Sequence, residues 1–146
     1  MIIFLDTSAL AKLFQAEEGT HKVIEWVNSA QKTTVLDLAR LEFTSAIQRR
    51  YRNQELSSED VSLIKEGFKE RWDFFSVQPI NRKVVDEAEN LLNIYGSNFG
   101  LRSLDALHIA GFQLVAQEHW YFVAADKTLC KVIEDIGLNV LNPSDK

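Results

Sequence analysis

Four acidic residues of this chain lie at the edges of apolar segments, where an ionised carboxylate loses much of its hydration. They are Asp6, Glu42, Asp105 and Asp126. Carboxylates that cluster raise each other's pKa values unless a cation neutralises them. Their hard oxygen atoms suit Mg²⁺ or Mn²⁺, and a cation held by carboxylates, water and substrate phosphate suits phosphodiester hydrolysis. If the fold brings these acids together, we therefore expect a site of that kind.

Each of these acids also has a purely structural interpretation. Asp6 and Asp126 can be turn residues or helix caps. Asp105 can be an acid in the first turn of a helix, where the helix dipole favours it by up to ~1 kcal/mol. Glu42 can be a surface residue that pairs with Arg49 or Gln48. A buried, ionised Asp105 would need a cation because its desolvation is costly, and both interpretations stay open on local sequence alone.

Five short apolar runs rich in Ile, Val, Phe and Tyr predict strands. They are Ile2–Leu5, Thr33–Leu36, Ser76–Ile80, Trp120–Ala124 and Leu138–Leu141. The helical stretches between them are Leu10–Glu17, Lys22–Ala30, Leu38–Asn53, Glu59–Phe75, Arg82–Tyr95, Leu104–Glu118 and Asp126–Ile136. Strands separated by helices form parallel sheets covered on both faces. We therefore predict an α/β fold, a three-layer α/β/α sandwich around a five-stranded parallel sheet.

These elements also place the acids. Parallel sheets bind ligands in the crevice beyond the carboxyl ends of their strands. Asp6 directly follows the first predicted strand and Asp126 follows the fourth, in the run WYFVAAD, so both are predicted on one edge of the sheet. The helix SLDALHIAGFQLVAQ is apolar on nearly every side, which predicts its burial and places Asp105 in its first turn. Glu42 lies at the border of the apolar face of its own helix.

Polar and glycine residues mark several helix ends. The run SSED offers a capping box at Ser57 or a helix start at Ser58. Gly96 and Gly137 are predicted to end the helices that precede them.

Size and composition limit the class of protein. The 146 residues predict one domain with a sizeable core, and the formal net charge of −5 means that nucleic acid would bind only through a local basic patch or a metal. The single cysteine, Cys130, excludes an internal disulfide and is interpreted as a structural thiol, which fits a cytoplasmic protein. No apolar run approaches the ~18 residues of a membrane-spanning helix, and the N-terminus does not read as a signal peptide.

The segments that contain the four acids resemble the PIN domain family, and in particular its VapC-like toxin ribonucleases. The matching segments are IFLDTSALAKLF, ARLEFTSAIQRR, LRSLDALHIA and FVAADKTLCKVIEDIGLNVLNP. They occur in the order and at the spacings of the family. The resemblance implies a single PIN domain over residues 1–142, followed by a C-terminal tail at residues 143–146.

The resemblance implies a Mg²⁺- or Mn²⁺-dependent endoribonuclease. The catalytic and metal-binding quartet of the family maps onto the four acids named above, among which the equivalents of Asp6 and Asp105 are the firmest ligands. Ser8 matches a small polar residue that supports the site by hydrogen bonding. Many relatives carry Thr or Ser where this chain has Ala124, two residues before the last acid, so a possible supporting hydrogen bond is lost, which would loosen Asp126 or weaken one metal position.

Basic residues near these acids are candidates for holding the phosphates of an RNA substrate. They are Arg49, Arg50, Arg52, Lys12 and Lys127. RNA is most open to attack where its strand is exposed and unstacked, as in loops. The arginines can equally be solvated residues at the negative end of their helix.

The resemblance also implies protein partners. VapC-like proteins commonly form homodimers, and each pairs with an antitoxin that brings an Arg near the acidic site. The aromatic residues of the amphipathic segments are interpreted mainly as core and in part as a groove for an antitoxin helix. They are Trp26, Trp72, Phe74 and Phe75.

Two other functions are compatible with the sequence. A strand-end aspartate followed by Thr-Ser resembles phosphatases that form an aspartyl-phosphate, but those need a second Asp where this chain has Ser8. A PIN-like domain can also bind RNA or metal without cutting and act through a partner. His108, one turn after Asp105, is interpreted as a hydrogen-bonded structural histidine, with contact to the acidic site as the alternative.

Overall fold

The computed structural model describes all residues from 1 to 146 and contains five strands and seven helices. The strands are β1 (Ile2–Leu5), β2 (Lys32–Leu36), β3 (Ser76–Gln78), β4 (Trp120–Val123) and β5 (Val140–Leu141). The helices are α1 (Thr7–Ala11), α2 (Thr20–Ser29), α3 (Leu38–Arg52), α4 (Ser58–Trp72), α5 (Arg82–Phe99), α6 (Ser103–Val115) and α7 (Lys127–Ile136). Every predicted element is present, in the predicted order.

The five strands form one parallel sheet in the order β3-β2-β1-β4-β5. The chain builds outward from β1 through β2 to β3, and then returns to the other side of β1 to add β4 and β5. The strand order therefore reverses between β1 and β4, which is where parallel α/β sheets form a crevice for ligands. The predicted sandwich is confirmed, and Asp6 and Asp126 follow the two strands at this crevice.

Alternate residues of β1 face opposite cores. Ile3 and Leu5 pack with α1 to α4, whereas Phe4 packs with α5, α6 and α7. All three side chains are fully buried, as expected for a central strand covered on both faces. Gly111 lets α6 lie close to the sheet, because a Cβ at this position would be 3.0 Å from the Cδ1 of Leu36.

Helix α1 differs from its predicted range, Leu10–Glu17. Its N-cap is Asp6, whose carboxylate accepts a hydrogen bond from the N–H of Ala9 at 2.8 Å, and it ends at Ala11. Because of this cap, Thr7 belongs to the helix and not to a loop. The carboxylate at the end of β1 and the residues that follow it are thus held as one unit.

Two other helix ends bear on the layer formed by α5, α6 and α7. The predicted end of α5 at Gly96 is wrong: the helix continues to Phe99, and Gly100 ends it in the left-handed conformation with a φ of 71°. The predicted end of α7 at Gly137 is confirmed, with a φ of 90°. The predicted capping box at Ser57, at the start of α4, is also confirmed. None of the helices has both the length and the apolar composition needed to cross a bilayer.

Candidate functional site at the carboxyl edge of the sheet

Asp6 is the most buried of the four acids, with 4% of its surface exposed. Its Oδ1 accepts hydrogen bonds from the N–H of Ala9 at 2.8 Å and from the hydroxyl of Ser8 at 2.7 Å. Burial raises the pKa of Asp6 from 3.8 to about 6, although the nearby His108 and the two hydrogen bonds act in the opposite direction. Asp6 is therefore a buried anion at neutral pH without full compensation of its charge.

Asp126 follows β4 and is the N-cap of α7. Its Oδ1 accepts hydrogen bonds from the N–H groups of Thr128 at 2.8 Å and Leu129 at 3.1 Å. Its Oδ2 accepts none, and the side chain is exposed. The cap interpretation is thus correct for both Asp6 and Asp126. It leaves one oxygen of Asp126 free to bind a ligand.

Asp105 lies half-buried in the first turn of α6 and forms no ion pair. Burial and the negative charge of Asp126 raise its pKa, and the charge of Glu42 adds to this effect. His108 and Arg102 lower the pKa of the same carboxyl group. Because the charges of Asp126 and Glu42 affect the pKa of Asp105, these three acids from three different elements lie near one another at the sheet edge.

Glu42 belongs to α3 and is held from two other helices. Its Oε1 accepts the hydroxyl of Thr7 at 2.5 Å and lies 2.5 Å from the Nε2 of His108. Burial alone would raise the pKa of Glu42, but the hydrogen bonds from His108 and Thr7 outweigh it and the pKa is lowered. The alternative pair with Arg49 is not formed. Structural and site interpretations of His108 therefore both hold, since this buried histidine contacts the site directly.

The charge balance of this edge suits a divalent cation. Asp6, Asp105 and Asp126 form no ion pair with Lys or Arg, and Asp126 and Glu42 each keep one oxygen without a hydrogen bond. No three side chains converge as a finished coordination sphere. Mg²⁺, however, commonly takes one or two carboxylates and completes its shell with water and phosphate. The donor set present here therefore fits Mg²⁺ or Mn²⁺.

A cavity of about 670 Å³ opens beside Glu42 and Asp105. Arg102, the residue before α6, also lines it, is exposed and forms no ion pair. Arg102 and Thr7 are site residues that the sequence prediction missed. Their only sequence signal is position, since Arg102 precedes Asp105 by one helical turn and Thr7 directly follows Asp6. A guanidinium beside an acidic cavity can contact a phosphate that lies over the acids.

Three of the predicted phosphate-binding residues are open to solvent. Lys127 is the first residue of α7, next to Asp126. Arg49 and Arg52 lie at the end of α3, and a helical rise of 1.5 Å per residue puts them roughly 10 to 15 Å beyond Glu42. Lys127 is thus adjacent to the acids, whereas the two arginines lie further away, and phosphate binding by these three residues stays a prediction.

The other two predicted phosphate-binding residues have partners within the chain. Lys12 is buried and its ammonium lies 3.3 Å from Glu17. Arg50 donates a hydrogen bond to the side-chain oxygen of Gln15. Either residue would have to leave its partner to bind RNA, and their participation stays a prediction.

A five-stranded parallel sheet with acids at its switch point defines an α/β domain with an acidic, metal-compatible site. The chain belongs to the PIN domain family, whose sequence model matches residues 3–133. The family inferred from the sequence is therefore confirmed, while the domain boundary at residue 142 stays a prediction.

The known proteins that the chain resembles agree with this family. It is 25% identical over 146 residues to Ribonuclease VapC47 of Mycobacterium tuberculosis, covering 97% of both chains. The fold matches M. tuberculosis VapC20, described as a sarcin-ricin loop cleaving toxin, with a TM-score of 0.67 at 16% identity over 88% of this chain and 93% of the other. It also matches VapBC2 of Rickettsia felis, solved with a promoter DNA fragment, with a TM-score of 0.68 at 12% identity over 97% and 98%. Because the sequence identities are only 16% and 12%, these two structures show that the fold is shared and nothing further.

Proposed function

We propose that this protein is a divalent-metal-dependent endoribonuclease and the toxin of a toxin–antitoxin pair. The observation that carries the proposal is that Asp6, Asp105 and Asp126 lie near one another at the carboxyl edge of the sheet, with no Lys or Arg paired to them. The names of the relatives support it, since one is a ribonuclease and another a toxin that cleaves an RNA loop.

Mg²⁺ or Mn²⁺ would be held by carboxylate oxygens of Asp6, Asp105, Asp126 and Glu42. Bound there, the cation supplies acidification of water and neutralisation of phosphate charge. The carboxylates orient the water and the phosphate, which is the positioning that hydrolysis needs.

The surroundings of the acids suit a single RNA strand. Arg102 lies on one side of the acidic region, in the wall of the cavity, and Lys127 is exposed beside Asp126. Side chains read exposed and unstacked RNA far more easily than the deep major groove of an RNA duplex. We infer that the substrate is a loop or an unpaired segment whose phosphates pass between these two basic residues.

The antitoxin would bind in an apolar groove between α3 and α4. This groove has a volume of about 330 Å³, and the side chains of Phe43, Phe68 and Trp72 form much of its floor. Lys65 and Lys69 stand at its border. An amphipathic helix with acidic flanks fits such a surface. We propose that the toxin is a homodimer that binds its antitoxin in this way.

The roles of Trp26, Phe74 and Phe75 are different. Trp26 is half-buried and packs against the core with Phe75, whereas Phe74 is 81% exposed on the other side of the molecule from the acids, near the start of β2. Of the aromatic residues predicted for the groove, only Trp72 lines it.

The test is cleavage of RNA that contains exposed loops, with purified protein and Mn²⁺, in the presence and absence of EDTA. Asp6→Asn and Asp105→Asn should each slow cleavage at least about 100-fold, because each removes a negative oxygen from the site. Asp86→Asn is the matched control, since Asp86 is exposed on α5 and forms no ion pair.

Three outcomes would contradict the proposal. Cleavage that survives both variants would show that the acids are not the site. RNA binding without cleavage at any Mn²⁺ concentration would favour a non-catalytic binding module. A mass increase at Asp6 after treatment with beryllofluoride would favour a phosphatase that forms an aspartyl-phosphate.

A further inference from the structure

Two side chains from different helices converge on one oxygen of Glu42. The Oγ1 of Thr7 and the Nε2 of His108 each lie 2.5 Å from its Oε1, and they lie 3.2 Å from each other. A hydroxyl this close to a carboxylate oxygen is typical of a hydrogen bond to an ionised carboxylate. Thr7 belongs to α1, Glu42 to α3 and His108 to α6, so the arrangement joins helices from both faces of the sheet.

The donors in this arrangement can be assigned from the geometry. Thr7 has a single hydroxyl proton, and its short contact directs that proton to Glu42. The Nε2 of His108 faces the same carboxylate oxygen and must therefore carry a hydrogen. The Nδ1 of His108 is buried without a partner. The geometry thus describes a proton on the Nε2 of His108 that is directed to Glu42.

The contacts of His108 are directed at the site and not at the core. The residue is 1% exposed, yet both partners of its Nε2 are side chains at the acidic edge. An apolar residue would pack in α6 without the cost of an orphaned ring nitrogen. Thr7 likewise uses its hydroxyl on Glu42 and not on the backbone of its own helix.

We propose that Thr7 and His108 are positioning residues, which fix Glu42 by its Oε1 and leave its Oε2 as the oxygen that faces a divalent cation and its water. This inference rests on the proposed function, because it assigns a purpose to the orientation of Glu42 within the nuclease site. A glutamate has several rotatable bonds, so a carboxylate without these two donors would spend much of its time away from the site.

The first test measures Mn²⁺ binding by electron paramagnetic resonance, together with the rate of RNA cleavage. Thr7→Val and His108→Leu remove the donors, and we expect Mn²⁺ to bind about 10- to 100-fold more weakly to each. His108→Gln keeps an N–H donor at a similar distance from the backbone, and it should restore Mn²⁺ affinity to within about 3-fold of the wild type. The matched controls are Thr44→Val and His21→Leu, both at exposed positions, which should bind Mn²⁺ like the wild type.

The second test does not require metal. Nitrogen-15 NMR of the histidine rings should show His108 with one slowly exchanging proton on Nε2, shifted downfield by its bond to the carboxylate. Glu42→Gln and Thr7→Val should both move this signal. A signal that neither substitution moves would overturn the arrangement itself.

The outcomes separate this inference from the proposed function. If the wild type binds Mn²⁺ and cuts RNA, and Thr7→Val and His108→Leu behave like it, the positioning role is wrong and the nuclease stands. If the wild type binds Mn²⁺ without cutting RNA, and the same variants weaken that binding, the positioning role stands and the nuclease fails. A wild type that neither binds Mn²⁺ nor cuts RNA overturns both. If His108→Leu does not fold, Thr7→Val and His108→Gln decide the matter.

Discussion

Ser8 and Ala125 are joined by a hydrogen bond of 3.3 Å, although 117 residues separate them in the chain. The backbone N–H of Ala125 donates to the Ser8 hydroxyl, which in turn donates to the carboxylate of Asp6 at 2.7 Å. One hydroxyl therefore links the loop after β4 to the acid after β1. This link anchors the loop beside Ala124, where the side chain offers no hydroxyl, and it bears directly on how firmly Asp126 is held.

Ser8→Ala should destabilise the fold, and more so at pH 7 than at pH 4. The substitution removes a hydrogen bond to an ionised carboxylate, which contributes about 1.5 to 3 kcal/mol. Because the Ser8 hydroxyl lowers the pKa of Asp6, its loss raises that pKa further and penalises the ionised form. Urea denaturation in EDTA at the two pH values measures the effect, with Ser62→Ala, at an exposed position of α4, as the control. An equal loss at both pH values would contradict this account.

Asp6→Asn should stabilise the metal-free protein at pH 7, by up to about 3 kcal/mol from the shift of its pKa from 3.8 to about 6. Well below pH 3.8 Asp6 is protonated in both the folded and the unfolded chain, so its burial carries no ionic penalty. As the pH rises from 3.8 to about 6, the unfolded chain releases this proton before the folded one, and the wild type loses stability.

The measurement is the free energy of unfolding of Asp6→Asn and wild type in EDTA between about pH 3 and pH 7. The gain should vanish toward about pH 3, and Asp86→Asn should change stability by no more than about 0.5 kcal/mol at any pH. A gain that does not vary with pH would show that Asp6 is not held with a raised pKa.

Gly111→Ala and Gly67→Ala should change stability in opposite directions, although both replace a glycine within a helix. A Cβ at Gly111 would be 3.0 Å from the Cδ1 of Leu36 and 3.4 Å from the ring of Phe4, so we expect a net loss of roughly 1 to 2 kcal/mol. A Cβ at Gly67 would meet nothing within 4 Å, so the better helix propensity of Ala should stabilise the protein by about 0.5 to 1 kcal/mol. Thermal unfolding of both variants checks this, and a stabilising Gly111→Ala would mean that α6 lies further from the sheet.

Arg102→Ala should weaken RNA binding and reduce the slope of log affinity against log salt by about 1, since it removes one phosphate contact. Binding should be measured with Ca²⁺ in place of Mn²⁺, so that cleavage does not remove the substrate. Arg71→Ala is the control, because Arg71 lies at the opposite edge of the sheet, near the start of β2. An unchanged salt slope for Arg102→Ala would exclude Arg102 from the RNA path.

Local patterns were sufficient to predict the sheet, its helices and the positions of Asp6 and Asp126. Those features depend on apolar periodicity and on the rule that parallel strands share a carboxyl edge. The range of α1, which ends at Ala11, and the end of α5 at Phe99 were harder to predict, because they depend on hydrogen bonds. The Asp6 cap sets where α1 starts, and the helical backbone hydrogen bonds of α5 continue past Gly96 until Gly100 turns the chain.

Long-range contacts account for what the sequence did not predict at the site. Thr7 and His108 are 101 residues apart, and nothing in their local sequences indicates that both contact Glu42. Arg102 is missed for the same reason. It precedes a helix, and its position in the sequence does not show that it lines the cavity beside Asp105. The ion pair of Lys12 with Glu17 likewise depends on how α1 ends.

The strand order has a consequence for the synthesis of the chain. Strand β1 emerges among the first residues, but its partner β4 begins 115 residues after β1 ends. At a synthesis rate of 5 to 20 residues per second, one edge of β1 lacks its hydrogen-bonding neighbour for roughly 6 to 23 s. Asp6 and Glu42 are made early, yet Asp105 and Asp126 join them only once β4 and its loop exist. A nascent chain therefore carries an incomplete acidic edge and an exposed apolar strand. It can aggregate at a stage when its acidic edge cannot yet bind substrate.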